Sequence, residues 1–235
     1  VTRNKVNSVW KPLWGKRAVV PDKYNEMKLS FVNEAKSSDA LEVVARAYNE
    51  GVAFRYVSPQ DAGSALELTT FNFAGDYTAW FYNGERHNIG PERLTETDGE
   101  RLPVMTVKAA DDLYLAVHEG EPLKLKSEKG QCLFSVSVKP HLLHAGYQSA
   151  WRVVLCGNRP GDLVDSHLLE LLNPEPSGDY DFSWVKPGVA LWDWRINGAQ
   201  WEGFHYTMSY PSWERRVDFA AEQGFAYLVL DANWY

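Results

Sequence analysis

From about Asn4 to Trp151 the sequence is divided into short runs rich in β-branched and aromatic residues, with turn residues between them. Tyr24 to Val32, Ala40 to Tyr48, Val52 to Val57, Leu102 to Lys108, Leu113 to Val117, Cys132 to Val138 and Trp151 to Leu155 read as strands. Asn49-Glu50-Gly51, Asp61-Ala62-Gly63, Asp98-Gly99 and Lys129-Gly130 supply the turns. The clearest alternation is in LEVVARAY, where Leu41, Val43, Ala45 and Ala47 share one face and Glu42, Val44, Arg46 and Tyr48 the other. Many short strands with almost no helical period predict two packed antiparallel sheets, a mainly β fold. Residues 1–158 are accordingly expected to form a large β-sandwich.

Beyond Gly157 the pattern changes. Residues 159–183 read as a helical stretch, Asp162 to Leu172, followed by an extended linker through Pro174, Pro176 and Gly178. Residues 184–235 open with the apolar run Val189-Ala190-Leu191, inside SWVKPGVALWDW. A helix follows, with Trp213, Val217, Ala220 and Ala221 on one stripe, Pro211 in its first turn and Gly224 past its end. FAYLVLD then reads as a strand covered on both faces, as parallel strands are. This is a β-α-β unit, and both of its strands end on a carboxylate and a tryptophan: Trp192-Asp193-Trp194 and Asp231-Ala232-Asn233-Trp234. Substrate sites of (β/α)8 barrels are built at that end of the strands. A closed barrel takes eight strands and roughly 200 to 250 residues. The expectation is therefore a fragment: a sandwich followed by the first unit of a truncated (β/α)8 barrel.

Composition bounds the partners. A net charge of -7 over 235 residues argues against nucleic acid, and no apolar run is long enough to span a membrane. Six of the ten tryptophans lie at or beyond Trp184, where flat apolar faces suit sugar rings as well as packing. Cys132 and Cys156 read equally as two buried thiols or one disulfide.

Several stretches, in order, resemble glycoside hydrolase family 97, the bacterial α-glucosidase and α-galactosidase group. They are VWKPLWG, KYNEMKL, ARAYNEGVAFRYVSP, FNFAGDYTAWF, LYLAVHE, SWVKPG with its following WDW, and RVDFAAEQGFAYLVLDANWY. The resemblance implies an N-terminal β-super-sandwich, a linker, a catalytic barrel and a small C-terminal β domain. It further implies calcium-assisted hydrolysis of terminal α-glycosidic bonds in a periplasmic or secreted enzyme. Its two catalytic carboxylates belong to later barrel strands, so no residue here is assigned as catalytic and the chain alone is expected to be inactive. Trp-Asp-Trp after the first barrel strand is closer to the retaining, α-galactosidase-like branch.

Glu119, in LYLAVHEG, matches the sandwich glutamate that ligates calcium in that family. Calcium takes six to eight oxygens, so Glu119 alone does not make a site. His118 beside it reads as a plain polar histidine, since no partner at zinc-ligand spacing supports metal binding. Asp193 and Asp231 are candidates for binding sugar hydroxyls, because a carboxylate accepts two at once. The competing reading of each is a helix cap or an Asx turn, and their matched positions favour the sugar. Of Trp192, Trp194 and Trp234, about one is expected to touch substrate, with the others packed behind it. Trp10 and Trp14 read as fasteners of the N-terminal segment, and Phe71, Phe73, Tyr77, Trp80, Phe81 and Tyr82 as core and domain interface. The cluster ERRVD, Glu214 to Asp218, reads as a solvated or helix-packing face. The leading function is a glycosidase acting on an α-linked glycoside or oligosaccharide. The alternatives are a non-enzymatic carbohydrate-binding sandwich and a sandwich used only for domain or subunit contacts.

Overall fold

The computed structural model describes residues 1–33, 36–119, 123–174 and 178–231, without the side chains of residues 33–40. The chain separates into two compact units, 1–175 and 176–235.

The first unit is a large antiparallel β structure. Strands β1 (Thr2–Trp10), β2 (Val20–Asn33), β3 (Lys36–Tyr48) and β4 (Gly51–Ser58) pair in sequence order. The sheet continues from β4 to Arg152–Gly157, then Leu113–Glu119, then Gly99–Ala110. Gly99–Ala110 belongs to two sheets. Its later residues pair with Leu113–Glu119 and with Thr78–Tyr82, while Gly99 to Arg101 pair with Lys124–Ser127. From there the ladder runs on through Leu133–Ser137 to Thr70–Asn72. Thirteen strands are thus hydrogen-bonded into one continuous system whose two parts face each other.

The core between those parts draws Ala79, Phe81, Met105, Val107 and Val117 from the first and Leu125, Phe134 and Val136 from the second. Phe81 and Phe134 meet across it with ring centres 5.9 Å apart. Each such side chain contributes about 1.5–3 kcal/mol by leaving water. Leu113–Glu119 carries a second core on its other face, because neighbouring residues of a strand point to opposite sides. There Ala116 packs with Val44, Ala53, Val153, Leu155 and Trp151. Leu168 and Leu172, from helix α2 (Leu168–Leu172), join that second cluster. Helix α1 (Pro160–Asp165) precedes it.

The predicted helix Asp162 to Leu172 is therefore two helices. Ser166 interrupts it: its hydroxyl donates to Glu50 Oε2 at 2.7 Å and accepts the Leu168 N–H at 3.1 Å. Close contact also fixes the choice of residue at Gly51. A Cβ there would stand 2.4 Å from the Val154 carbonyl oxygen and 3.1 Å from Leu168 Cδ2.

The alternation of LEVVARAY is present, but the more deeply buried face is the one carrying Val44, Arg46 and Tyr48. Arg46 is drawn inward by Glu26, at 2.8 Å, and by the rings of Tyr24 and Trp151, at 4.4 and 4.8 Å. The polar strand β1 escapes the pattern reading because most of it is exposed on both faces. Phe81 is fully buried, Phe71, Phe73 and Tyr77 pack against the core, and Tyr82 is exposed. Cys132 and Cys156 are both free and partly buried.

The second unit holds the expected β-α-β order. Ala190–Trp192 pairs in parallel with Tyr227–Val229, and helix α3 (Tyr210–Glu222) lies between them in sequence. The buried stripe of α3 is Ser212, Arg216 and Ala220, and Val217 is exposed. Arg216, expected on a solvated or packing face, turns inward because the Thr207 carbonyl accepts its Nη1 hydrogen at 3.2 Å beside the Tyr206 ring. Tyr227 and Val229 are both exposed, so within this chain the strand is not covered on both faces.

One buried charge pair stands out in the first unit. Arg152 donates to Glu67 at 2.8 and 2.6 Å, with the two side chains 1% and 8% exposed. Burial raises the Glu67 carboxyl, and hydrogen bonds from Arg152 and Thr69 together with the nearby positive charge of Arg152 outweigh it, leaving Glu67 below its usual range. A depressed carboxyl stabilises the fold fully above its unfolded pKa, near 4.5, and that contribution drains as pH falls through the folded value. Glu67→Gln is expected to cost about 3–5 kcal/mol in urea unfolding at pH 7, because it removes the carboxylate charge facing a buried guanidinium. The variant should also lose part of the acid sensitivity below pH 4.5. A cost under about 1 kcal/mol, the value of a surface pair, contradicts this assignment.

Candidate functional site

The second unit places its functional candidates where the two parallel strands end. Trp192 closes the first strand and Asp193 begins a short 3-10 turn, Asp193–Ile196. Asp193 is 0% exposed, and both its oxygens are occupied. Oδ1 accepts the Asp231 N–H at 3.0 Å, and Oδ2 accepts the Trp213 indole N–H at 3.0 Å. One carboxylate therefore joins the end of the first strand to the end of the second and to the first turn of α3.

Asp231 stands differently. Its Oδ2 accepts the Trp192 indole N–H at 2.7 Å, and the residue is only partly buried. The Arg195 guanidinium lies 4.9 Å from the Trp192 ring centre. Trp192 is 38% exposed and Trp194 50%. The result is a partly open edge built from Asp231 and Trp192, with the buried Asp193 joining the strand ends beside it.

The electrostatics follow from burial. Arg216 is 1% exposed, and burial holds its guanidinium below the usual range while the Asp193 charge pulls the other way. Its Nε and Nη2 have no hydrogen-bond partner among the described residues. The negative Asp193 and the positive Arg216 thus sit within one small core, and each lowers the cost of burying the other.

Structure brings Trp192, Asp193 and Asp231 together and adds Trp213, which the sequence reading had placed only in an apolar stripe. The available signal was an indole N–H in the first turn after a strand-end carboxylate. Trp234 lies outside the described residues.

Glu119 belongs to the first unit and ends its strand. Its Oε1 accepts the Leu123 N–H at 3.0 Å. His118 Nδ1 accepts the Glu119 N–H at 2.8 Å, and burial lowers the imidazole pKa, which favours the neutral ring. Among the described residues no group of three or more His, Cys, Asp or Glu side chains is arranged to hold a metal ion. Glu119 is thus one oxygen-donor side chain, far short of the six to eight oxygens calcium takes.

Asp193 must accept twice, which asparagine cannot do, since its amide would set an N–H against a second N–H. Asp193→Asn is expected to destabilise the second unit by about 1–3 kcal/mol. The change should appear as an earlier tryptophan-fluorescence transition in urea. A midpoint unchanged from the parent would show that the two bonds contribute nothing.

Comparison with known proteins places the chain in a family. Residues 1–175 match the family model described as glycosyl-hydrolase 97 N-terminal. A retaining alpha-galactosidase of Bacteroides thetaiotaomicron is 24% identical over 261 aligned positions, covering 90% of this chain and 38% of that protein. A probable retaining alpha-galactosidase of Streptomyces bingchenggensis is 28% identical over 208 positions, covering 83% of this chain and 32% of that protein. The crystal structure of a beta-arabinopyranosidase superposes with a TM-score of 0.73 at 20% identity, covering 99% of this chain and 42% of its own. At that identity the likeness is one of fold. The chain spans well under half the length of the curated relatives it matches. The sandwich, matched end to end, carries the assignment: the chain belongs to the glycosyl-hydrolase 97 N-terminal family.

Proposed function

We propose that the chain serves a retaining glycoside hydrolase acting on terminal α-galactosides, to which it supplies the sandwich and the first β-α-β unit of the catalytic barrel. The observation that carries this reading is the alignment of 90% of the chain with a retaining alpha-galactosidase. The strand-end cluster supports it. Asp231 has one oxygen committed to Trp192 and the other without a hydrogen bond among the described residues, where it could accept a sugar hydroxyl, while Trp192 and Trp194 are partly exposed. Trp234 is proposed as a third aromatic contact. Asp193, fully buried, positions these groups and meets the sugar only through them. α-Glucosides are the second substrate class, on the breadth of the resembled family.

Retention requires a nucleophilic carboxylate about 5–5.5 Å from the acid/base carboxyl. Neither role is proposed for Asp193, which is buried and doubly bonded, or for Asp231, which accepts from an indole. The pair is assigned to further barrel strands. Calcium, when bound, would polarise the glycosidic region as an oxygen-ligated cation. Glu119 is proposed as one ligand, and this chain's described residues do not complete the site. A periplasmic or secreted location completes the proposal.

The protein encoded by the whole gene is expected to hydrolyse nitrophenyl α-galactoside with the α-anomer appearing first in proton NMR. First appearance of the β-anomer, or turnover of α-glucosides alone, overturns the retaining galactosidase reading. The 235-residue chain by itself is expected to show no turnover and no calcium binding tighter than millimolar in calorimetry. Turnover by this chain would place catalytic residues within it.

A further inference from the structure

A second cavity with the chemistry of a sugar site lies in the sandwich unit. The segment between β1 and β2 wraps past the helical pair and encloses about 550 Å³ with His167 and Glu170. The segment is tied down: Lys16 Nζ donates to the carbonyls of Val164 and Ser166, the latter at 3.0 Å. Trp10 meets His167 edge-on, with ring centres 5.9 Å apart. Trp10 thus does fasten the segment. Trp14 does not, because it is 77% exposed at the cavity edge.

His167 is the unexplained group. It is 3% exposed, and neither ring nitrogen has a hydrogen-bond partner among the described residues. Glu170 Oε1 stands 3.4 Å from its Nδ1 without the alignment of a hydrogen bond, and the Glu170 side chain is 46% exposed. Buried polar nitrogens are rarely left without partners in folded proteins. An imidazole that can donate and accept, a carboxylate that can accept twice and a broad exposed indole form one wall. That combination matches the alternating apolar faces and hydroxyl edges of a pyranose. The volume falls within the range of small-molecule sites.

We propose that this cavity is a second carbohydrate site, binding a neutral pyranose on Trp14 with hydroxyls directed to Glu170 and His167. It is built wholly from residues of the first unit and does not rest on the strand-end reading.

The test uses the 235-residue chain, titrated with D-galactose and with D-glucose and followed by two-dimensional amide NMR. The parent is expected to bind at least one of them saturably, with a millimolar dissociation constant. Trp14→Ala should weaken it at least tenfold, and its exposed position leaves the fold intact. Glu170→Gln should weaken binding severalfold, and Asp231→Asn should leave it unchanged. Absence of saturable binding of both sugars overturns the proposal. Binding lost in Asp231→Asn but kept in Trp14→Ala also overturns it, while leaving the strand-end site supported.

Discussion

Backbone pairing along Gly99–Ala110 changes partners partway, and the sandwich depends on that change. One end of the strand bonds Lys124–Ser127, and the rest bonds Leu113–Glu119 and Thr78–Tyr82. A sheet must bury an apolar face, and a strand shared by two sheets folds one over the other without a separate crossover. The core around Phe81, Met105 and Phe134 exists because of that sharing. Leu113–Glu119 then extends the burial to the opposite face, where Ala116 meets the cluster capped by Leu168 and Leu172. Glu119, at the end of the same strand, inherits its position from both cores.

A comparable economy governs the strand ends of the second unit. Two short parallel strands have few backbone bonds to hold their register, three residue pairs among the described residues. Asp193 compensates by accepting from the second strand and from α3 at once. Its burial costs desolvation, offset by two charge-assisted hydrogen bonds and by Arg216 in the same core. That division of labour separates a buried carboxylate that sets geometry from a partly exposed one, Asp231, that can meet a ligand.

Much of this was legible from the residues. The seven strands read between Tyr24 and Leu155, the turn glycines and the order of the β-α-β unit follow from alternation and punctuation, which are local signals. Thr70–Asn72, Thr78–Tyr82, Ile89–Arg93 and Lys124–Ser127 were too short or too mixed in pattern to be read. Strand β1 was not legible because TRNKVNSVW has no apolar face to betray it. Inward-turned arginines were the other blind spot. Arg46 and Arg216 look like surface charges, and only a carboxylate, carbonyl or ring distant in sequence makes their burial favourable. The cluster at the strand ends was visible as matched Asp and Trp positions. The difference between Asp193 and Asp231 was not, because it depends on which oxygen meets which N–H in space.

A crystal structure of the whole gene product with a galactose-type iminosugar inhibitor separates the roles of Asp193 and Asp231. The inhibitor is expected against Trp192 or Trp194, with a hydroxyl within hydrogen-bond distance of Asp231 and Asp193 still bonded to Trp213 and the Asp231 N–H. An inhibitor bonded directly to Asp193, or bound away from both strand ends, would contradict these roles.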